Sequence, residues 1–275
     1  MFEREEAQVT RQILDQVKAY VRDLFEKGTI QAFIGYKREG GHPIPALFKD
    51  VAELDALDLG NDENYGDVRY PLSDVCRRLL EVYPDGKIGV LVRGCDERAI
   101  VEMSKWNQIS IDRLVIVGIA CSKEWVNRCG CKKPYPDALI AGTPVTEEIR
   151  HDALELLEEK SFAERKAFWD DAFSRCIKCY GCRNICPVCF CKDCSLEDPL
   201  LVKPGFTPAE FPIFHLVRAV HMAGRCIDCG LCEETCPADI PLRTLYRKIN
   251  AIVKEEFGYE TGVKDDSVCP LNTVA

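Results

Sequence analysis

Residues 176–187 read CIKCYGCRNICP, and residues 226–237 read CIDCGLCEETCP. Both follow C-x2-C-x2-C-x3-C-P, the spacing of bacterial-type ferredoxins that carry two 4Fe–4S clusters. Zinc sites more often pair two C-x2-C hooks, commonly with histidine, and this chain has four histidines in all. In the ferredoxin pattern three cysteines of a run wrap one cluster while the fourth crosses to the other. The expected ligands are therefore Cys176, Cys179, Cys182 and Cys236 for one cluster, and Cys226, Cys229, Cys232 and Cys186 for the second. Two clusters held this way form a short path for single electrons. Nothing in the motif selects a substrate.

The composition agrees with a folded redox protein. Among 275 residues there are 17 cysteines, eleven of them from Cys176 to Cys236. Hydrophobic residues make up 47% and charged ones 29%, which argues against a disordered chain. A formal charge of −9 speaks against nucleic acid as a partner, since a general binder needs a basic face. The charged opening MFEREE has no apolar signal core, and no run approaches the roughly 20 apolar residues of a membrane span. A cytoplasmic, reducing location is expected, where bulk disulfides do not form. No Walker loop, GxGxxG or nucleophile elbow occurs, so hydrolase and Rossmann-dehydrogenase chemistry lacks support.

Outward from the cysteine runs, 207–222 reads as an apolar helix through Phe211, Phe214, Val217 and Val220, and 241–257 as a final helix. Upstream, 146–160 and 161–173 read as helices, with Thr146 a candidate N-cap. The N-terminal part begins with a helix over 3–27, its face made by Val9, Ile13, Val17, Val21 and Leu24, and Gly28 stops it. A strand-like run at 30–36 follows, then a Gly- and Pro-containing loop at 40–45 and an acidic, exposed loop at 54–69. A helical face from Leu72 to Leu80 closes in a turn at 83–86. Runs 87–92 and 114–119 read as buried strands with a helix at about 97–106 between them, a βαβ unit that implies parallel pairing. Residues 129–144 read as a loop, and 265 onward as a tail. The fold class follows: an α/β domain with a partly parallel sheet over 1–145, then a mainly α-helical two-cluster ferredoxin domain over 146–275.

Two stretches resemble known families. Residues 225–242, RCIDCGLCEETCPADIPL, with the helix before them, resemble the helical ferredoxin domains of respiratory and heterodisulfide-reductase iron–sulfur subunits. The phrases LFEKGTIQAFIGY (24–36), Tyr70-Pro71-Leu72, KIGVLVRGCD (87–96) and IVGIACS (116–122) are similar to the beta subunits of deazaflavin-dependent hydrogenases and formate dehydrogenases. The resemblance implies an electron-transfer subunit of an anaerobic multi-subunit oxidoreductase. Its partners would be a catalytic oxidoreductase subunit, a heterodisulfide-reductase-like subunit, or both. It also implies FAD in the α/β domain, exchanging hydride with a deazaflavin. The alternative is a flavin-free adaptor that wires two redox partners together.

Nine cysteines lie outside the two runs. Cys76 sits on an apolar helical face and reads as core, and Cys269, in the tail, as incidental. Cys189, Cys191 and Cys194 follow the first run in CPVCFCKDC, and Cys121, Cys129 and Cys131 surround the loop after the second buried strand. Two readings stand for these: tolerated thiols, or a third metal site, a 4Fe–4S cluster or zinc, on Cys121, Cys129 and Cys131 with Cys191 or Cys194. Arg93, Gly94 and Cys95 end the first buried strand, where open α/β sheets place ligands. With Asp96 as a candidate N-cap, this turn fits a flavin or anion site, Arg93 pairing with a pyrophosphate. Cys95 fits three roles: flavin-pocket residue first, then third-site ligand or structural thiol. His215 and His221 read as packing or surface groups.

Overall fold

The computed structural model describes residues 2–60, 69–83, 85–147, 152–210, 212–264 and 267–273. The chain divides into two compact units, Met1–Ile149 and Arg150–Ala275. The first is an α/β unit with a mixed, partly parallel sheet; the second is mainly helical. Among the described residues no helix is long and apolar enough to cross a membrane.

The first unit opens with α1 (Phe2–Glu26), which buries Val17, Val21 and Leu24 at spacings of four and three. Gly28, at φ 64°, ends it, and the amides of Gly28 and Thr29 take the carbonyls of Phe25 and Leu24. Strands β1 (Ala32–Glu39) and β2 (His42–Phe48) form a hairpin across Gly40 and Gly41, both at positive φ. The loop expected at 40–45 is thus a two-residue turn running into a strand. Pro43 and Pro45 suggest a loop, yet β2 is the outer strand, where a missing N–H costs the sheet little.

The stretch expected as an exposed loop at 54–69 is largely ordered over its described part. A 3-10 turn at Ala52–Ala56 and β3 (Leu57–Asp58), paired with Tyr36 and Lys37, bury Leu54, Leu57 and Leu59. Residues 61–68 lie outside the described residues. Helix α2 (Leu72–Val82) buries Cys76 in the core.

The parallel part of the sheet carries the functional interest. Strand β4 (Ile88–Val92) is wholly buried, pairs parallel with β1 and β5 (Leu114–Ile119), and is followed by α3 (Gly94–Lys105). Beyond β5 the expected loop holds structure. Ser122 caps α4 (Lys123–Cys129), Gly130 ends it at φ 51°, and β6 (Leu139–Ala141) adds a further parallel strand. Three residues are too few to show a strand period, so periodicity does not find β6. The sheet order is β2-β1-β4-β5-β6, with β3 beside β1.

In the second unit α5 (Asp152–Glu158) precedes α6 (Phe162–Ser174), which Ser161 and Glu164 cap reciprocally. Between α5 and the Thr146 expected to cap it, residues 148–151 lie outside the described ones. Single-turn helices α7 (Gly181–Asn184) and α9 (Leu231–Glu234) sit inside the two cysteine runs. Between them α8 (Ile213–His221) is shorter than the helix expected at 207–222, because Pro208 and Pro212 withhold it from the preceding residues; Phe211 lies outside the described residues. Helix α10 (Leu242–Phe257) closes the unit. Cys269, expected in an incidental tail, is buried against Gly224 and Ala223.

Candidate metal centres

The two cysteine runs adopt nearly the same backbone path. In the first, Lys178 and Tyr180 stand at positive φ; in the second, the corresponding Asp228 and Gly230 do. These two left-handed turns fold the three leading cysteines of each run around a common centre. The short helices α7 and α9 then carry the chain to Cys186 and Cys236.

Each centre is a cavity. One is lined by Cys176, Cys179, Cys182 and Cys236, with Pro237, His215 and Phe214 among its walls. The other is lined by Cys186, Cys226, Cys229 and Cys232, with Arg218, Arg243 and Tyr246. The fourth cysteine of each run therefore lies at the other run's cavity. Among the described residues no three cysteine, histidine or carboxylate side chains close on a single-ion centre; each quartet surrounds a volume instead. Four thiols spread around a cavity suit a cubane, whose irons each take one thiolate. When bound, such a cluster accepts or gives up one electron without bond making in the protein.

The surroundings of the two cavities differ. Ile177 in the first run is 56% exposed, while its counterpart Ile227 is 3% exposed, and Cys179 is exposed where Cys229 is partly covered. The first centre is therefore near the surface and the second within the unit. Charge differs too. Lys178 donates to the Lys203 carbonyl and pairs with Glu210, whereas Asp228 accepts from Arg243 and Arg247 at 2.6 and 2.8 Å. Desolvation opposes ionisation of Asp228, yet the bonds from Arg247 and Arg243 hold its carboxyl below the usual range. His215 is buried, stacked on Phe173 with ring centroids 4.3 Å apart. Burial, with Arg218 adding to it, brings its pKa down to about 4; the ring is neutral at pH 7. His221 is exposed.

In the first unit the thiols gather at the carboxyl ends of β4 and β5. Cys121 stands near enough to Cys129 and Cys131 for their ionised forms to repel, and Cys95 stands in the same relation to Cys121. The loop after α4 folds back over these strand ends. The amide of Cys121 donates to the Pro134 carbonyl at 3.0 Å, and Arg98 reaches Lys133 O at 2.9 Å and Cys131 Sγ at 3.6 Å. Burial pushes Cys121 up to about 11 and Cys95 up to about 12. A helix N-terminus alone would lower Cys95, and desolvation outweighs it.

Arg93, expected to pair with a pyrophosphate, is buried and donates to Leu59 O at 2.6 Å beside the Tyr36 ring. Asp96 is not the N-cap: Arg93 occupies that position, and Asp96 accepts the Arg93 amide from the first helical turn. The space in front of Gly94 is filled by backbone, a Cβ there meeting Lys133 O at 2.1 Å. Of the remaining thiols, Cys189 lies 3.6 Å from Arg218 Nη1, and the exposed Cys191 lies 3.7 Å from Arg225 Nη1. Cys194 precedes the short turn Ser195–Glu197. Arg218, Asp228, Arg243 and Arg247 carry no motif; the alternation of charge around repeated cysteine spacings is the signal that could have singled out Asp228.

Two comparisons with known proteins bear on the chain. A 4Fe-4S binding domain family matches residues 173–189 and 223–239, both in the second unit, which supports iron–sulfur clusters there. The chain is 44% identical over 103 residues to the F420-dependent formate dehydrogenase subunit beta of Methanocaldococcus jannaschii, covering 38% of this chain and 27% of that one. It is 43% identical over 99 residues to the F420-dependent formate dehydrogenase 1 subunit beta of Methanococcus maripaludis, covering 36% and 25%. The chain thus spans about a quarter of the length of these curated relatives.

Proposed function

We propose that this chain relays single electrons through two 4Fe–4S clusters as part of an anaerobic multi-subunit oxidoreductase in the cytoplasm. The observation that carries the reading is the crossed arrangement of the quartets: each cavity takes three cysteines from one run and the fourth from the other. Cys176, Cys179, Cys182 and Cys236 would hold the surface cluster, and Cys226, Cys229, Cys232 and Cys186 the inner one. The names of the relatives support a formate dehydrogenase as the complex, with a catalytic subunit as partner; a heterodisulfide-reductase-like subunit is the other partner this reading accommodates. The two domains, 1–145 and 146–275, divide the work between docking or cofactor binding and electron relay.

The α/β domain has two proposed ligands. Cys121, Cys129 and Cys131, with Cys95 in the first turn of α3, are the thiols where a third cluster or zinc would sit. FAD is the second, at the β4 end beside Arg93 and Cys95 and not against Gly94, whose open side the Lys133 backbone fills. It would convert a hydride into two single electrons; without it the domain is an adaptor. Anaerobic purification of the chain followed by iron, zinc and flavin analysis tests all three. About eight irons per chain support two clusters and about twelve support a third. Fewer than about four would overturn the relay. Flavin released by acid supports a catalytic role, and its absence from brown protein supports the adaptor.

A further inference from the structure

Helix α8 buries what its sequence would leave outside. Ile213, Leu216 and Val220 are 50%, 46% and 57% exposed, whereas His215 and Arg218 are almost wholly buried. Arg218 spans the two cluster sites. Its Nη2 donates to the carbonyl of Cys182, a member of the first quartet, at 2.7 Å. Its side chain also lines the cavity of the second quartet, beside Cys186. Nη1 lies 3.6 Å from Cys189 Sγ, the guanidinium carbon is 5.8 Å from the Tyr246 ring centroid, and Nε has no hydrogen-bond partner among the described residues. The ionisable groups around it include Tyr246, Cys186, Cys182, Cys189 and His215.

A guanidinium stays protonated in a protein, and taking it out of water is strongly unfavourable unless an anion lies close. The neutralising charge available here is that of the cysteine thiolates and the clusters they would hold. We propose that Arg218 is the shared counter-charge of the two clusters, favouring the reduced state of both. The inference rests on reading the two quartets as 4Fe–4S sites. Each reduction adds one electron from an external donor to one cluster, with no bond made or broken in the protein. A fixed cation beside a centre that becomes more negative stabilises the reduced form more than the oxidised one, and so raises its potential. Because one cation serves both sites, it also eases holding an electron on each cluster at once.

The test compares the full chain with Arg218→Gln, Arg218→Met and Arg218→Lys, each reconstituted anaerobically. Iron content comes first, then EPR-monitored titration with dithionite. The expected result is lower midpoint potentials for both clusters in the two neutral variants and near wild-type potentials in Arg218→Lys. Unchanged potentials in a fully loaded neutral variant overturn the proposal, as does an equal fall in Arg218→Lys. Should neither neutral variant retain iron while Arg218→Lys does, the positive charge is needed to hold the clusters, which supports it. Loss of iron in all three variants assigns the residue to packing and overturns it. A wild-type chain without cluster signals would sink the underlying reading instead.

Discussion

Gly94 lies so close to the carbonyl of Lys133 that a Cβ at Gly94 would stand 2.1 Å from that oxygen. The same carbonyl accepts from Arg98 Nη1 at 2.9 Å. The turn after β4 and the loop after α4 are therefore packed backbone to backbone. Gly94→Ala must push the loop away and break that hydrogen bond, at a cost of about 2–4 kcal/mol. Gly40→Ala is the control: its φ is 60° but nothing lies within 4 Å, so it costs about 1 kcal/mol. Hydrogen exchange at the β4 and β5 amides reads the difference, and equal effects would show that the contact is not tight.

What the sequence conveyed depended on repetition. The cysteine runs are legible because Cys176–Cys186 and Cys226–Cys236 repeat one spacing, and the cavities bring those same eight residues together. The βαβ unit is legible because Ile88–Val92 and Leu114–Ile119 are unbroken apolar runs. Strand β2 was hidden by Pro43 and Pro45, which mark loops except on outer strands. Arg218 was hidden differently. Its helix reads as apolar through Phe214, Val217 and Val220, but the buried face is Phe214, His215, Arg218 and Ala219. Periodicity assumes that oily residues turn inward, and a charged interior reverses that rule.

Asp228 takes bonds from both Arg243 and Arg247, and all three side chains are one-fifth exposed or less. Removing the carboxylate takes the shared anion from two largely buried cations one turn apart on α10. Asp228→Ala is expected to destabilise the loaded protein by about 2–4 kcal/mol. Glu39→Ala, which removes an exposed pair with Lys37, should change stability by less than about 1 kcal/mol. Urea denaturation followed by circular dichroism, on both variants at matched iron content, would contradict the assignment if the two losses were alike.

The crossed ligands make a prediction about spectra. Cys236→Ser should disturb the same cluster as Cys179→Ser, although Cys236 belongs to the other run; Cys186→Ser should disturb the cluster also lost in Cys229→Ser. EPR of the reduced variants sorts them, because the surface and inner sites have different surroundings. A Cys236→Ser spectrum matching that of Cys229→Ser would mean that each run keeps its own fourth ligand.

Iron removal should act unevenly along the chain. Each cluster cavity in the second unit is walled by the helices that build the unit: Phe214 and His215 from α8 and Leu242 from α10 at one site, Arg218 and Tyr246 at the other. Stripping iron with a chelator takes away the bonds that tie the two cysteine runs together around each space and removes the clusters' negative charge from beside Arg218. Metal binding and folding are coupled in such sites, so exchange protection should fall through α8 and α10. Strands β1 and β4, whose burial depends on Phe33, Ile34, Val90 and Leu91, should keep theirs. The region from Lys123 to Ala141 then becomes informative. If Cys121, Cys129 and Cys131 hold a metal, α4 and β6 lose protection together with the second unit, while the rest of the sheet does not. If those thiols are unligated, protection there is the same before and after chelation, and the third site is ruled out without recourse to an iron count.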